Sequence, residues 1–176
     1  MKNVTAVLSE EHQNILRVID TMLDECQKIR NGKKLEILFF EKAIDFIKNY
    51  ADKYHHAKEE DILFLAMLEN SEVMHCNPIP VMLSEHDSGR NYVKKMEKGL
   101  NENNPQLVVE GAIQYGQLLQ QHIYKEDNVL YPMAEEALSE EQKERVLNKY
   151  DVVENNVFSA DHVQRYISLF NEQTFG

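Results

Sequence analysis

Apolar residues recur along this chain at steps of three and four, the spacing that lines one face of a helix. Leu8, His12, Ile15, Ile19, Met22 and Cys26 share one such face. They predict a first helix over about 5–29, stopped by Arg30-Asn31-Gly32. The stripe Ile47, Ala51, His55, Glu59, Ile62 and Ala66 predicts a second over about 34–68. Asn70-Ser71 and Asn77-Pro78 mark a longer connection. Met82, His86, Gly89, Val93, Met96 and Leu100 form the seam of a third helix over about 79–100. Asn103-Asn104-Pro105 then turns the chain into a fourth over about 105–138, with Gly111, Tyr115, Leu118, His122, Glu126, Val129 and Met133 on its seam. Pro132 is expected to kink that helix or end it early. Ser139-Glu140-Glu141-Gln142 is a capping sequence that opens a last segment, broken near Glu154-Asn155-Asn156 and resuming to about 172. The fold class expected is all-α: one domain over 1–176, an antiparallel up-down four-helix bundle at about 5–138 with a C-terminal helical segment at about 139–172.

Composition narrows the function. Apolar residues make up 43% of the chain, ordinary for a globular protein, and Gly and Pro are scarce. The net charge of −11 argues against nucleic acid or an anionic membrane as the main partner. No apolar run approaches the roughly 18 residues of a membrane span, and Met1–Glu10 does not resemble a secretory signal. Cys26 falls on an apolar face, whereas Cys76 lies in the connection beside His75. Two such cysteines read as reduced thiols of a cytoplasmic protein.

Each of the four seams carries a histidine: His12, His55, His86 and His122. In antiparallel neighbours, residues equally far from a turn lie side by side. The midpoint of His86 and His122 is position 104, at the Asn-Pro turn. The midpoint of His12 and His55 falls beside Gly32, and that of His55 and His86 at Asn70-Ser71. All three turns are consistent with one layer of imidazoles. Glu59 and Glu126 follow their histidines by one helical turn. A lone histidine on an apolar face is usually a hydrogen-bonded core residue. Four at one height with two inward carboxylates are a different pattern, because buried glutamates are costly unless paired or metal-bound.

The two halves also repeat. HHAKEEDILF at 55–64 aligns with HIYKEDNVLY at 122–131, and Glu11-His12 echoes Glu85-His86. The unit is a helix pair with one histidine on its first helix and His-x-x-x-Glu on its second. His56 and Glu60 have the same spacing as His55 and Glu59, but their face holds Asp52 and Lys53 and their register breaks the repeat. The repeat therefore favours His55 and Glu59, with His56 and Glu60 as additional or supporting candidates.

With these motifs, and with Ser84-Glu85-His86 near Arg90, the chain resembles the hemerythrin-like HHE cation-binding family over essentially its whole length. That resemblance implies a non-haem centre of two iron ions, oxo- or hydroxo-bridged. His12, His55, His86 and His122 would be its nitrogen ligands, and Glu59 and Glu126 its bridges. Imidazole and carboxylate donors also suit manganese or zinc. Oxygen-carrying hemerythrin uses five histidines in a different pattern. Four histidines and two glutamates look more like relatives implicated in nitric oxide response or iron–sulfur repair. Those often carry an extra N-terminal cysteine-bearing module that is not seen in this sequence.

The implied function is binding of dioxygen, nitric oxide or a related small ligand in sensing, carriage or iron homeostasis. The alternatives are a di-iron oxidoreductase acting on peroxide, oxygen or nitric oxide, and an iron-centre repair protein. No protein partner is indicated. A ferritin-like ferroxidase fits less well, because its motif is Glu-x-x-His. His162 reads as a surface or supporting residue, with a fifth imidazole at the metal as the alternative. Tyr115 reads as core packing, with a hydrogen-bond donor or redox-active phenol as its alternative. Gly89 serves either close helix packing or space for a small ligand.

Overall fold

The computed structural model of the protein describes residues 3–157 and residue 168. Every regular element among them is helical. We number five helices: α1 (Ala6–Arg30), α2 (37–68), α3 (Ile79–Asn101), α4 (105–137) and α5 (Glu140–Val157). Together they form a helical bundle.

Local chemistry sets most of the boundaries. Asn3 Oδ1 and Glu135 Oε1 accept hydrogen bonds from the first amides of the chain, so the start of α1 is tied to α4. Gly32, at φ 101°, turns the chain after α1. Asn104 accepts from the Leu107 amide, and Pro105 follows it at the head of α4. Ser139 and Gln142 cap α5 reciprocally, as the capping sequence predicts. The expected break at 154–156 does not occur, since α5 runs unbroken to Val157.

Helices α1 and α3 are regular, and their predicted seams are buried up to Met96; Leu100 is only partly buried. Helices α2 and α4 are not regular. In α2, Ile47–His56 and Glu59–Leu63 are π-helical, and in α4 so is Glu126–Leu130. A π turn bonds i to i+5, so it inserts one residue beyond the α repeat. The seams beyond it slip by one. Met67 is buried where the α pattern placed Ala66, and Leu130 and Ala134 where it placed Val129 and Met133. Val129 is 50% exposed. Pro132 does not end α4. The π segment closes at Leu130, so Pro132 sits in the first turn of the renewed α segment Tyr131–Ala137, where no amide donor is needed.

The core has two apolar clusters. One gathers Ile15, Ile19, Met22, Phe40, Val93, Met96, Leu119 and Ile123. The other gathers Val4, Leu8, Leu63, Phe64, Met67, Leu130, Tyr131, Val146 and Tyr150, so α5 covers that end. Helices α3 and α4 meet most closely. A Cβ on Gly99 would lie 2.7 Å from the Val108 backbone nitrogen, and one on Gly111 would lie 3.1 Å from that of Met96.

Candidate metal centre

A layer of buried histidines and glutamates is built into this core. Helix α1 contributes His12, α2 contributes His55, His56 and Glu59, α3 contributes His86, and α4 contributes His122 and Glu126. Their ligand atoms fall into two groups, each within 4.8 Å. One is His12, His55, Glu59 and Glu126; the other is His56, Glu59, His86 and His122. Glu59 belongs to both. Glu126 spans them as well, with Oε2 at 3.3 Å from His12 Nε2 and Oε1 at 3.0 Å from His122 Nε2.

All six residues predicted from the seams therefore converge. His56 joins them, although its neighbours marked it as wetter. The widened π turn fans successive side chains through less than the α-helical angle, so His55 and His56 are both buried. The polar face beneath His56 is closed by ions. Asp52 takes its Nδ1 at 3.3 Å and also accepts from Arg90 at 2.7 and 3.0 Å. Glu60 lies outside the layer. It accepts from His86 Nδ1 at 2.6 Å and from Arg90 at 2.8 Å. Tyr115 is buried on the Gly89 side of α4, and its hydroxyl has no hydrogen-bond partner among the described residues. His162 lies outside the described residues.

Every imidazole of the layer has a carboxylate on its Nδ1. Asp127 holds His12 at 3.0 Å, Glu11 holds His55 at 2.8 Å, and Glu85 holds His122 at 2.8 Å. Such partners fix the tautomer, put the proton on Nδ1 and leave Nε2 for a cation. The repeat extends to this outer ring. Glu11 and Glu85 each bind a lysine, Lys58 and Lys125, at matching positions of the repeat. Asp127 and Glu60, which follow the two inward glutamates, each reach across to the histidine of the opposite half. The doublets Glu11-His12 and Glu85-His86 were the sequence signal for part of this ring. Tyr131 had no such signal. Its hydroxyl donates to Glu59 Oε1 at 2.6 Å, lies 3.2 Å from His12 Nε2, and its ring stacks on that of His12.

Without a cation the layer is poorly satisfied. His55 Nε2, Glu59 Oε2 and both oxygens of Glu126 are buried without a well-directed hydrogen bond. His86 Nε2 and His122 Nε2 face each other at 2.9 Å. Both rings present their Nδ1 to a carboxylate, so both Nε2 atoms are turned into the layer. That separation suits two nitrogens sharing one ion at bonds of about 2.0–2.1 Å.

The titration behaviour agrees. Burial pushes the Glu59 carboxyl well above its ordinary range, and the charge of Glu126 adds to this. Burial also opposes the charge of Glu126, but His122 and His12 outweigh it and hold that carboxyl low. Burial would lower His12, yet its hydrogen bond with Asp127 and the close Glu126 carboxylate raise it to about 9. Burial, then the charge of His12, depresses His55, and burial, then the charge of His86, depresses His56. Protons thus occupy part of the layer where cations would replace them.

Histidines and carboxylates converging from four helices define a cation-holding helical domain. The chain belongs to the family described as the hemerythrin HHE cation binding domain, whose model matches residues 3–134. No curated protein and no solved structure matches the chain. Among the described residues, no helix is long and apolar enough to cross a membrane.

Proposed function

We propose that the protein holds two metal ions, iron in the first instance, and binds a small ligand such as dioxygen or nitric oxide there. The observation that carries this reading is the pair of four-residue groups sharing Glu59. His12 and His55 would serve one ion, and His86, His122 and His56 the other. Glu59 and Glu126 would serve both. The helices that supply them form, in this reading, an antiparallel four-helix bundle with α5 appended. Manganese and zinc suit the same donors. A pair of ferrous ions would supply reversible binding or reduction of a diatomic ligand.

The chain's own residues set the conditions for that chemistry. Five carboxylates orient the five rings. Tyr131 holds Glu59 from behind. The apolar clusters above and below keep bulk water away. His56 raises the imidazole number from the expected four to five, which weakens the contrast with oxygen carriers drawn from the sequence.

Anaerobic reconstitution with ferrous iron tests the proposal. Two irons per chain and an optical change on adding nitric oxide or oxygen are expected. Elemental analysis that finds no retained metal would sink it. Sustained consumption of peroxide or oxygen with a reductant would assign the oxidoreductase alternative instead. His55→Ala and His56→Ala are both expected to lower metal content.

A further inference from the structure

A cavity of about 250 Å³ lies between α2 and α3, beside the His56 and His86 rings. Ile47, Gly89, Val93 and Tyr115 also line it. Lys48 and Glu97, ion-paired at 2.8 Å, stand at its rim. Arg90 braces one wall by joining Asp52 and Glu60 of α2 to α3. Tyr115 is 2% exposed, yet its hydroxyl finds no partner among the described residues. A buried hydroxyl normally does.

The repeat shows why a cavity exists here. Shifting Gly89, Val93, Asp52 and His56 onto the other half leads to the interface of α1 with α4. Gly89 corresponds to Ile15, Val93 to Ile19, Asp52 to Leu119 and His56 to Ile123. Those four counterparts are buried in the core. Glu97 corresponds to Leu23, which packs so closely on α4 that a Cβ at Gly116 would lie 2.9 Å from it. One side of the layer is thus plugged by branched aliphatic side chains. On the other, Gly89, Asp52, His56 and Glu97 are small or polar, and only Val93 keeps a branched side chain. A Cβ at Gly89 would meet only ordinary contacts at 3.5 Å, so the missing side chain is not forced by helix packing.

The geometry points to one-sided access: small apolar diatomic molecules reach the layer through this cavity, past Gly89, and meet the Tyr115 hydroxyl as hydrogen-bond donor. This rests on the proposed metal-holding function and names the route and the residue that receives the ligand. Ile47, Gly89 and Val93 give such a ligand an apolar surface inside a charged rim, and Tyr115 supplies the polar group buried among them.

Two measurements test it. Xenon marks dry apolar cavities. Metal-free crystals under xenon should show the gas beside Gly89 and Val93, and Gly89→Ile, which copies the plugged side, should exclude it. In iron-loaded protein, Gly89→Ile should slow association of nitric oxide by about tenfold or more at unchanged iron content. Tyr115→Phe should speed dissociation by about threefold to tenfold with association unchanged. No xenon in the wild type, or an unaltered association rate in iron-loaded Gly89→Ile, overturns the route. An unaltered dissociation rate in Tyr115→Phe overturns the donor. Failure of the wild type to take up iron would instead defeat the proposed function, and the xenon measurement would still decide whether the cavity admits an apolar gas.

Discussion

The two lysine–glutamate–histidine arms, Lys58–Glu11–His55 and Lys125–Glu85–His122, come from matching positions of one repeat and differ in their surroundings. Lys58 is fully buried. Its ammonium also lies 3.3 Å from Glu154 of α5 and 3.8 Å from the centroid of the Tyr54 ring. The Lys125 side chain is 39% exposed. The Glu11 carboxyl is raised, because burial exceeds what Lys58 returns. For Glu85, burial acts the same way, but hydrogen bonds from Lys125 and His122 outweigh it and the carboxyl is lowered. The same residues at the same spacing therefore make a structural core element in one half and a half-solvated support in the other. What separates them is the cover laid by α5.

The largest expected effect tests that difference directly. Lys58→Met should destabilise the metal-free protein by about 3–5 kcal/mol, because it strands a buried carboxylate. Lys125→Met should cost no more than about 1 kcal/mol. Denaturant unfolding reads both, and equal losses would erase the distinction. Glu11→Gln and Glu85→Gln should each weaken metal binding by about 10–100-fold in chelator competition, since each loosens one ring of the proposed ligand set. An effect at only one site would show that the arms are not functional equivalents.

A smaller contrast concerns the glycines. Gly111→Ala should destabilise by about 1–3 kcal/mol, since its Cβ has no room against the backbone of α3. Gly89→Ala, facing the cavity, should stabilise by about 0.5–1 kcal/mol. Thermal unfolding of the pair separates close packing from open space.

The smallest effect is a pH slope in the metal-free protein. Glu85 has a folded pKa below its ordinary 4.5, so its stabilisation is present above that value and is lost as pH falls through the lowered one. Glu11 has a folded pKa above its ordinary 4.5, so its ionisation costs stability as pH rises from there. Glu85→Gln should flatten the acid loss of stability and Glu11→Gln should steepen it. Matching slopes would contradict the assignment.

How much of this was legible in the sequence depended on helix geometry. The seams of α1 and α3 read correctly from Leu8 to Cys26 and from Met82 to Met96, because both helices keep the α repeat. In α2 and α4 the reading matched burial from Ile47 to Ile62 and at Gly111, Tyr115, His122 and Glu126, chose Leu118 where Leu119 is buried, and slipped by one residue with the later π turns, at Ala66 and at Val129. Nothing in an apolar pattern announces an i to i+5 turn. His55, Glu59, His122 and Glu126 survived because they lie within or before those turns. His56 was undervalued for the same reason, since a strict α angle turns it toward Asp52 and away from His55. Tyr131 could not be found from spacing, because its position next to Glu59 depends on the π segment that precedes it. The carboxylates on the Nδ1 atoms were half visible, as doublets whose partners only the fold identifies.

The family match ends at residue 134, whereas the seal over Lys58 and Tyr131 is completed by Val146, Tyr150 and Glu154 of α5. The unit that can be moved, shortened or grafted is therefore longer than the one shared with relatives. A chain cut after Ala134 would keep all seven residues of the buried layer and lose the roof over the Glu11 arm. Transplanting the domain into another protein means taking this last helix along.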